Sequence, residues 1–105
     1  MYRQGDVLIT RCGSIPATAK PCAPRERGGY VLAEGEATGH AHAVADDEVD
    51  LFEDTDGTLY MRVKSNVDEA TVTHQEHGHL TLPRDTYKVT RQREYTPEAV
   101  RRVSD

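Results

Sequence analysis

The sequence predicts an all-β fold: one small domain over residues 1–105, a β-barrel or sandwich, with a short C-terminal helix over 96–104. Three observations support this. Apolar and polar residues alternate over short runs such as Leu59–Val63, which is the period of a half-buried strand. Turn-forming segments such as Asp54–Gly57 separate these runs. A chain of 105 residues also has the size of a single domain.

Glycine, proline and aspartate mark the boundaries of the predicted strands. Residues 13–29 contain three prolines and three glycines without a helical period, which predicts a long loop. In the tail, Thr96 suits the N-cap of a helix and Pro97 its first position. The predicted strands are residues 6–10, 29–34, 38–45, 49–53, 59–63, 70–74, 80–82 and 86–93, with a turn at 83–85 before the last.

The composition excludes several classes of protein. A net charge of -5 argues against nucleic-acid binding, and no apolar run is long enough to cross a membrane. The apolar stretch at the start of the chain is too short for a signal peptide, so we expect a cytoplasmic location, with Cys12 and Cys22 as free thiols. Only 36% of the residues are apolar, so a bound metal or a homodimer interface is expected to supplement a modest core.

The histidines are the most informative residues of the chain. All five lie in two short segments, His40 and His42 in the first and His74, His77 and His79 in the second. Imidazole is the commonest metal ligand at neutral pH. Because two strands that are distant in sequence can meet in a folded sheet, the two segments predict a metal site that folding closes.

Strand alternation divides these histidines between two faces. His40, His42 and Val44 share one face of a predicted strand, and the apolar Val44 indicates that this face is interior. The same reasoning places His74 on the interior face with Val72. We therefore rank His40, His42 and His74 first among the expected metal ligands.

The rest of the second segment is less regular. His77 and His79 fall on the opposite face unless the backbone changes direction, and Gly78 favours such a change. We take His77 as the next metal ligand, Glu76 after it and His79 last.

These ligands predict one divalent metal ion, with Zn²⁺ expected and Fe²⁺, Mn²⁺ or Ni²⁺ compatible with the same residues. Three histidines leave a coordination position open for water or a small polar molecule. The leading hypothesis is therefore a small metalloenzyme with Glu76, or Glu48, as general base. Two alternatives are a non-enzymatic binding or assembly module that a metal stabilises, and a metal-free accessory domain that docks on a partner protein.

The middle of the chain resembles the cupin superfamily, whose first motif has a glycine, His-x-His, a glutamate and a later histidine on a distant strand. The matching residues are Gly35, His40, His42 and Glu48, with His74 or His77 as the later histidine. The turn at 82–87 is similar to the hairpin of the second cupin motif. The resemblance spans residues 35–87 and implies a small β-barrel with an interior metal, but no particular substrate.

Two arginines near the end of the chain have two interpretations. Arg91 or Arg93 could face the cavity and bind a carboxylate or phosphate. Alternatively, residues 89–95 form an exposed edge strand that its charges keep soluble, which is the interpretation we favour from the sequence.

Overall fold

The computed structural model describes residues 1–25, 29–34 and 41–91. These residues form ten β-strands and no helix. The strands are β1 Tyr2–Gln4, β2 Val7–Arg11, β3 Lys20–Pro21, β4 Tyr30–Glu34, β5 Ala41–Val44, β6 Val49–Glu53, β7 Leu59–Val63, β8 Glu69–Thr73, β9 Leu80–Pro83 and β10 Thr86–Arg91. The predicted all-β fold is confirmed, while the helix predicted over 96–104 lies outside the described residues.

The strands form two antiparallel sheets. The first has six strands in the order β1-β2-β10-β7-β6-β3, and the second has four in the order β4-β5-β8-β9. Strand β10 therefore pairs with β2 on one side and with β7 on the other. The interpretation of residues 89–95 as an edge strand is wrong for residues 89–91, because β10 lies in the interior of this sheet, between β2 and β7. Residues 92–95, with Arg93, lie outside the described residues.

The observed strand limits follow the alternation of apolar residues where that alternation is clear. β6 and β7 coincide with their predicted ranges, β8 begins and ends one residue earlier than predicted, and β9 ends one residue later. Two short strands are not predicted. β1 contains a single apolar side chain, and β3 has two exposed residues inside the predicted loop, so neither shows an apolar pattern.

One apolar core lies between the two sheets. The six-stranded sheet contributes Ile9, Met61 and Tyr87, all 0% exposed, and the four-stranded sheet contributes Val72 and Leu82, also 0% exposed. Burying one such side chain stabilises a fold by about 1.5–3 kcal/mol. In the described part of the chain, no helix has the length and apolar character needed to cross a membrane. Both cysteines are free thiols, as predicted.

A β-bulge shapes the pairing of β4 with β5. The register shifts between Val31 and Ala33, so that Ala33 pairs with His42. As a result, Leu32 and Ala33 are both buried although they are adjacent in sequence. A bulge kinks its strand locally and is often found beside a functional site; here it lies opposite the buried histidine.

Candidate functional site

His42 is the buried centre of the candidate site. Its side chain is 2% exposed, and Val44, two residues further along β5, is 3% exposed. Both therefore point to the interior, as the alternation of apolar residues predicts. His40, the other histidine of this segment, lies outside the described residues.

Two histidines of the second segment lie beside His42. The ring of His74 is 4.3 Å from that of His42, and the ring of His77 is 6.2 Å from it, between centroids. The rings of His74 and His77 are 4.6 Å apart. We call these three residues the histidine cluster. His79 is exposed.

A bend in the backbone brings His77 into the histidine cluster. Strand β8 ends at Thr73, and the chain bends through Gln75–His77 before β9 begins at Leu80. The change of direction therefore comes before Gly78. Strict alternation would have placed His77 on the opposite face, but alternation holds only while the backbone remains extended. His77 is exposed and His74 is half-buried, so the histidine cluster extends from the interior to the surface.

Gln4 determines which nitrogen of the neutral His42 ring carries the proton. The Gln4 side chain is 2% exposed, and its amide nitrogen donates hydrogen bonds to the carbonyl oxygens of Val72 at 3.0 Å and Gly78 at 2.8 Å. Because both amide hydrogens are used, the oxygen of the Gln4 amide is the atom that faces Nδ1 of His42, at 2.8 Å. An amide oxygen only accepts, so Nδ1 carries a proton.

The neutral form of His42 therefore has its lone pair on Nε2. Burial lowers the pKa of His42 below the ordinary 6.5; the neighbouring His74 lowers it further, and the attraction of Asp6 opposes the shift without reversing it. Near pH 7 the ring is accordingly neutral, with Nδ1 as donor and Nε2 as acceptor.

Asp6 is the group that faces this lone pair. Its Oδ1 lies 3.6 Å from Nε2 of His42, and its Oδ2 accepts hydrogen bonds from Nε and an Nη of Arg91 at 3.3 and 3.0 Å. Burial acts to raise the pKa of Asp6, but the hydrogen bond and charge of Arg91 outweigh it and hold that pKa below 3.8. Asp6 is therefore a carboxylate near pH 7. The carboxylate that Arg91 binds in this structure belongs to the chain itself.

A glycine lets the β1–β2 turn approach the histidines closely. Gly5 has φ +60°, and Gly5-Asp6 connects Gln4 to Val7, which are paired. A glycine with positive φ in the first position is typical of a two-residue type II′ turn. A Cβ atom at Gly5 would lie 2.7 Å from Nε2 of His77 and 3.4 Å from Cε1 of His42. The turn therefore lies close to two imidazoles, and a larger residue at Gly5 would require the exposed His77 ring to move.

His74 has a hydrogen bond that competes with metal binding. Its Nδ1 accepts the backbone N–H of Glu76 at 3.0 Å, so the neutral ring has its proton on Nε2 and both nitrogens are occupied. Among the described residues, no group of three or more His, Cys, Asp or Glu side chains stands ready to hold a metal ion. The hydrogen bond at Nδ1 of His74 gives one physical reason for this.

The two predicted general bases lie in different places. Glu76 is exposed and belongs to the same bend as His77. Glu48 accepts the backbone N–H of Thr71 at 3.0 Å and lines a shallow depression of about 350 Å³ with Ala43 and Thr73. Because these last two residues alternate with buried ones, the depression lies on the face of the sheet opposite His42. The carboxylate beside His42 is that of Asp6.

Gln4 and Asp6 are the residues of this site that the sequence interpretation missed. A signal for them exists, since Gly5-Asp6 between two short β-prone runs is a pattern typical of a two-residue hairpin. That signal predicts a turn at this position. It does not predict that the turn reaches the histidines, because this depends on how the two sheets pack.

The comparisons with known proteins give one match. Residues 3–92 match the sequence model of a family described as "Domain of unknown function (DUF8820)". No curated protein and no solved structure is similar enough to match the chain. The matched range contains the histidine cluster, Gln4, Asp6 and Arg91.

Proposed function

We propose that this chain, which belongs to the DUF8820 family, binds one divalent metal ion at the histidine cluster, with His42 and His77 as ligands. The observation that carries the proposal is the hydrogen bond of 2.8 Å between Gln4 and Nδ1 of His42. It leaves the lone pair of a buried, neutral imidazole on Nε2, directed at a carboxylate. An imidazole whose second nitrogen donates to a fixed oxygen is the usual form of a metal-bound histidine.

The position of His77 supports the proposal. Its ring lies 6.2 Å from that of His42 between centroids and nearly parallel to it, at an interplanar angle of 10°, so the His77 ring must turn for both rings to donate to one ion. Its side chain is exposed on a bend, so it can adjust its rotamer without disturbing the core. Side-chain rotations of this kind are common when a ligand binds to an otherwise fixed backbone.

His74 and His40 remain predicted ligands. His74 joins the ion only if its Nδ1 releases the N–H of Glu76, and that N–H belongs to an exposed residue where water can replace the lost bond. Zn²⁺ is the ion we expect, since imidazole and carboxylate donors suit it; Fe²⁺, Mn²⁺ and Ni²⁺ are the alternatives to be measured.

To test metal binding, the chelator-treated protein is titrated with Zn²⁺ in a calorimeter. Elemental analysis of the loaded protein then gives the number of ions per chain. We expect about one ion per chain. His77→Ala should weaken binding at least about tenfold, because the loss of even an outer partner of a ligand costs 10–100-fold in affinity. His79→Ala is the matched control, since it removes an exposed histidine two residues away.

Two outcomes would contradict this proposal. One is the absence of any heat, bound metal or shift in melting temperature when Zn²⁺, Mn²⁺, Fe²⁺ and Ni²⁺ are each added to the wild-type protein. The other is equal affinity of His77→Ala and His79→Ala, which would place the ion elsewhere.

The proposed activity is that of a small metalloenzyme, in which the ion activates water or polarises a small polar molecule. An ion with an open position binds water there and lowers its pKa. Glu76, exposed in the bend between His74 and His77, is the proposed general base. In the Co²⁺-loaded protein, added azide should change the visible absorption spectrum by entering the open position; an unchanged spectrum would mean a closed site.

The role of Glu76 requires a kinetic readout. The hydrolysis of 4-nitrophenyl acetate by the metal-loaded protein serves as a general probe of activated water. We expect Glu76→Gln to lower the metal-dependent rate while the metal content stays the same. Glu69→Gln, which alters an exposed carboxylate at the start of β8, is the control; equal rates in the two variants would remove Glu76 from the mechanism.

A further inference from the structure

We infer that Asp6 is the carboxylate ligand of this ion, so that its protein ligands are His42, His77 and Asp6. The inference rests on the proposed metal binding and specifies its donor set. Neither sequence alternation nor the histidine pattern assigns any role to Asp6. The contacts of its two oxygens and the turn that presents it lead to this assignment.

The first step is the meeting of two acceptors. Nε2 of His42 and Oδ1 of Asp6 are 3.6 Å apart, and both present lone pairs, because the proton of the ring is held on Nδ1 by Gln4. Two acceptors without a shared proton repel each other, and a cation between them converts this repulsion into two attractions. An imidazole nitrogen and a carboxylate oxygen that face each other in this way are two donor atoms that one cation can share.

The distance between these two atoms is close to the separation of two ligand atoms on one ion. Ligand atoms roughly 2.0–2.2 Å from a tetrahedral Zn²⁺ lie about 3.3–3.6 Å from each other. The separation of 3.6 Å between Nε2 and Oδ1 falls at the upper end of this interval.

The second step is the orientation of the Asp6 carboxylate. Arg91 binds Oδ2 with two donors and leaves Oδ1 directed at His42. Ligating carboxylates are commonly held in this way by a second hydrogen-bonding partner. Arg91 is therefore a positioning residue for Asp6. In this arrangement the free oxygen binds the ion through a single contact.

The third step is the turn that carries Asp6. A Cβ atom at Gly5 would lie 2.7 Å from Nε2 of His77 and 3.4 Å from Cε1 of His42, so the turn that carries Asp6 passes beside both rings. A donor set of two histidines, one carboxylate and one water is a known open arrangement for catalytic Zn²⁺. With Asp6 as third ligand, His74 keeps its hydrogen bond to Glu76.

The test compares Zn²⁺ affinity in two carboxylate variants. Asp6→Asn keeps the size of the side chain and removes its charge, and we expect at least about a tenfold loss of affinity. Asp85→Asn is the matched control, because Asp85 also pairs with an arginine, Arg11, at 3.3 Å. Each variant is first compared with the wild type by circular dichroism without metal, so that a folding defect is recognised.

The possible outcomes distinguish the binding of Zn²⁺ by the protein from the role of Asp6 as a ligand. If the wild type binds Zn²⁺ and Asp6→Asn binds it equally well, Asp6 is not a ligand, while the proposed metal binding stands. If the wild type binds no metal, both claims fail. If Asp6→Asn does not fold, X-ray absorption of the Zn²⁺-loaded wild type decides: two imidazoles in the coordination shell support the assignment, and three or more overturn it.

Discussion

Gln4 provides the sharpest test of the arrangement around His42. In Gln4→Ala the chain loses three hydrogen bonds, to the carbonyls of Val72 and Gly78 and to Nδ1 of His42. At a net value of about 1 kcal/mol each, their loss lowers the free energy of unfolding by about 3 kcal/mol. For a domain of this size that corresponds to a decrease of roughly 15 °C in melting temperature.

The assay is urea denaturation of the metal-free protein, with Gln75→Ala as the control. Gln75 is the same residue type but makes one exposed bond, in which its side-chain oxygen accepts the backbone N–H of Ala41 at 2.8 Å. Its replacement should cost about 0.5 kcal/mol or less. If Gln4→Ala costs no more than Gln75→Ala, the three bonds do not hold the His42 ring and the assignment of its lone pair to Nε2 loses its support.

Three further measurements test other parts of the structure. Gly5→Ala and Gly57→Ala should each lower the free energy of unfolding by about 1–2 kcal/mol, because both glycines have positive φ. In Gly5→Ala the exposed His77 ring must also turn away from the new Cβ, so Zn²⁺ affinity should fall in this variant and not in Gly57→Ala; equal Zn²⁺ affinities would mean that the close approach does not matter for the site. Since burial lowers the pKa of His42 below 6.5, the unfolded chain binds more protons than the folded chain below that pH. The free energy of unfolding of the metal-free protein should therefore fall between about pH 7 and pH 5, and less steeply in His42→Gln. Tyr87→Phe removes a hydroxyl that donates to a backbone carbonyl at 2.6 Å and should cost about 1 kcal/mol in the same assay.

The sequence predicts the fold well where strands are half-buried. In β6 and β7, every second residue faces the core, so the apolar pattern marks both ends of each strand. The pattern fails for β1, where the inward position belongs to Gln4, a polar residue that is 2% exposed. Periodicity of apolar residues cannot find a strand whose buried side chain is polar.

The candidate site is predicted only in part, because the alternation of side chains applies to extended strands alone. His42 lies on an extended strand beside buried Val44, so alternation predicts its direction. His77 lies on a bend, where alternation no longer applies. Asp6 and Arg91 are distant from the histidines in sequence, and the pairing of Arg91 with Val7 brings these two residues together. Such long-range pairing depends on the whole sheet, which no local pattern encodes.

The position of Gln4 also links the site to the stability of the fold. Gln4 belongs to the six-stranded sheet, and its side chain donates to Val72 and Gly78, in and beside the four-stranded sheet. The proposed ion would join the same two sheets, because Asp6 follows β1 while His42 lies on β5. At a free metal concentration of 100 times the dissociation constant, binding adds about 2.7 kcal/mol to the stability of the folded state. That is close to the roughly 3 kcal/mol assigned to the three hydrogen bonds of Gln4. The ion would therefore stabilise the contact between the two sheets about as much as these hydrogen bonds do.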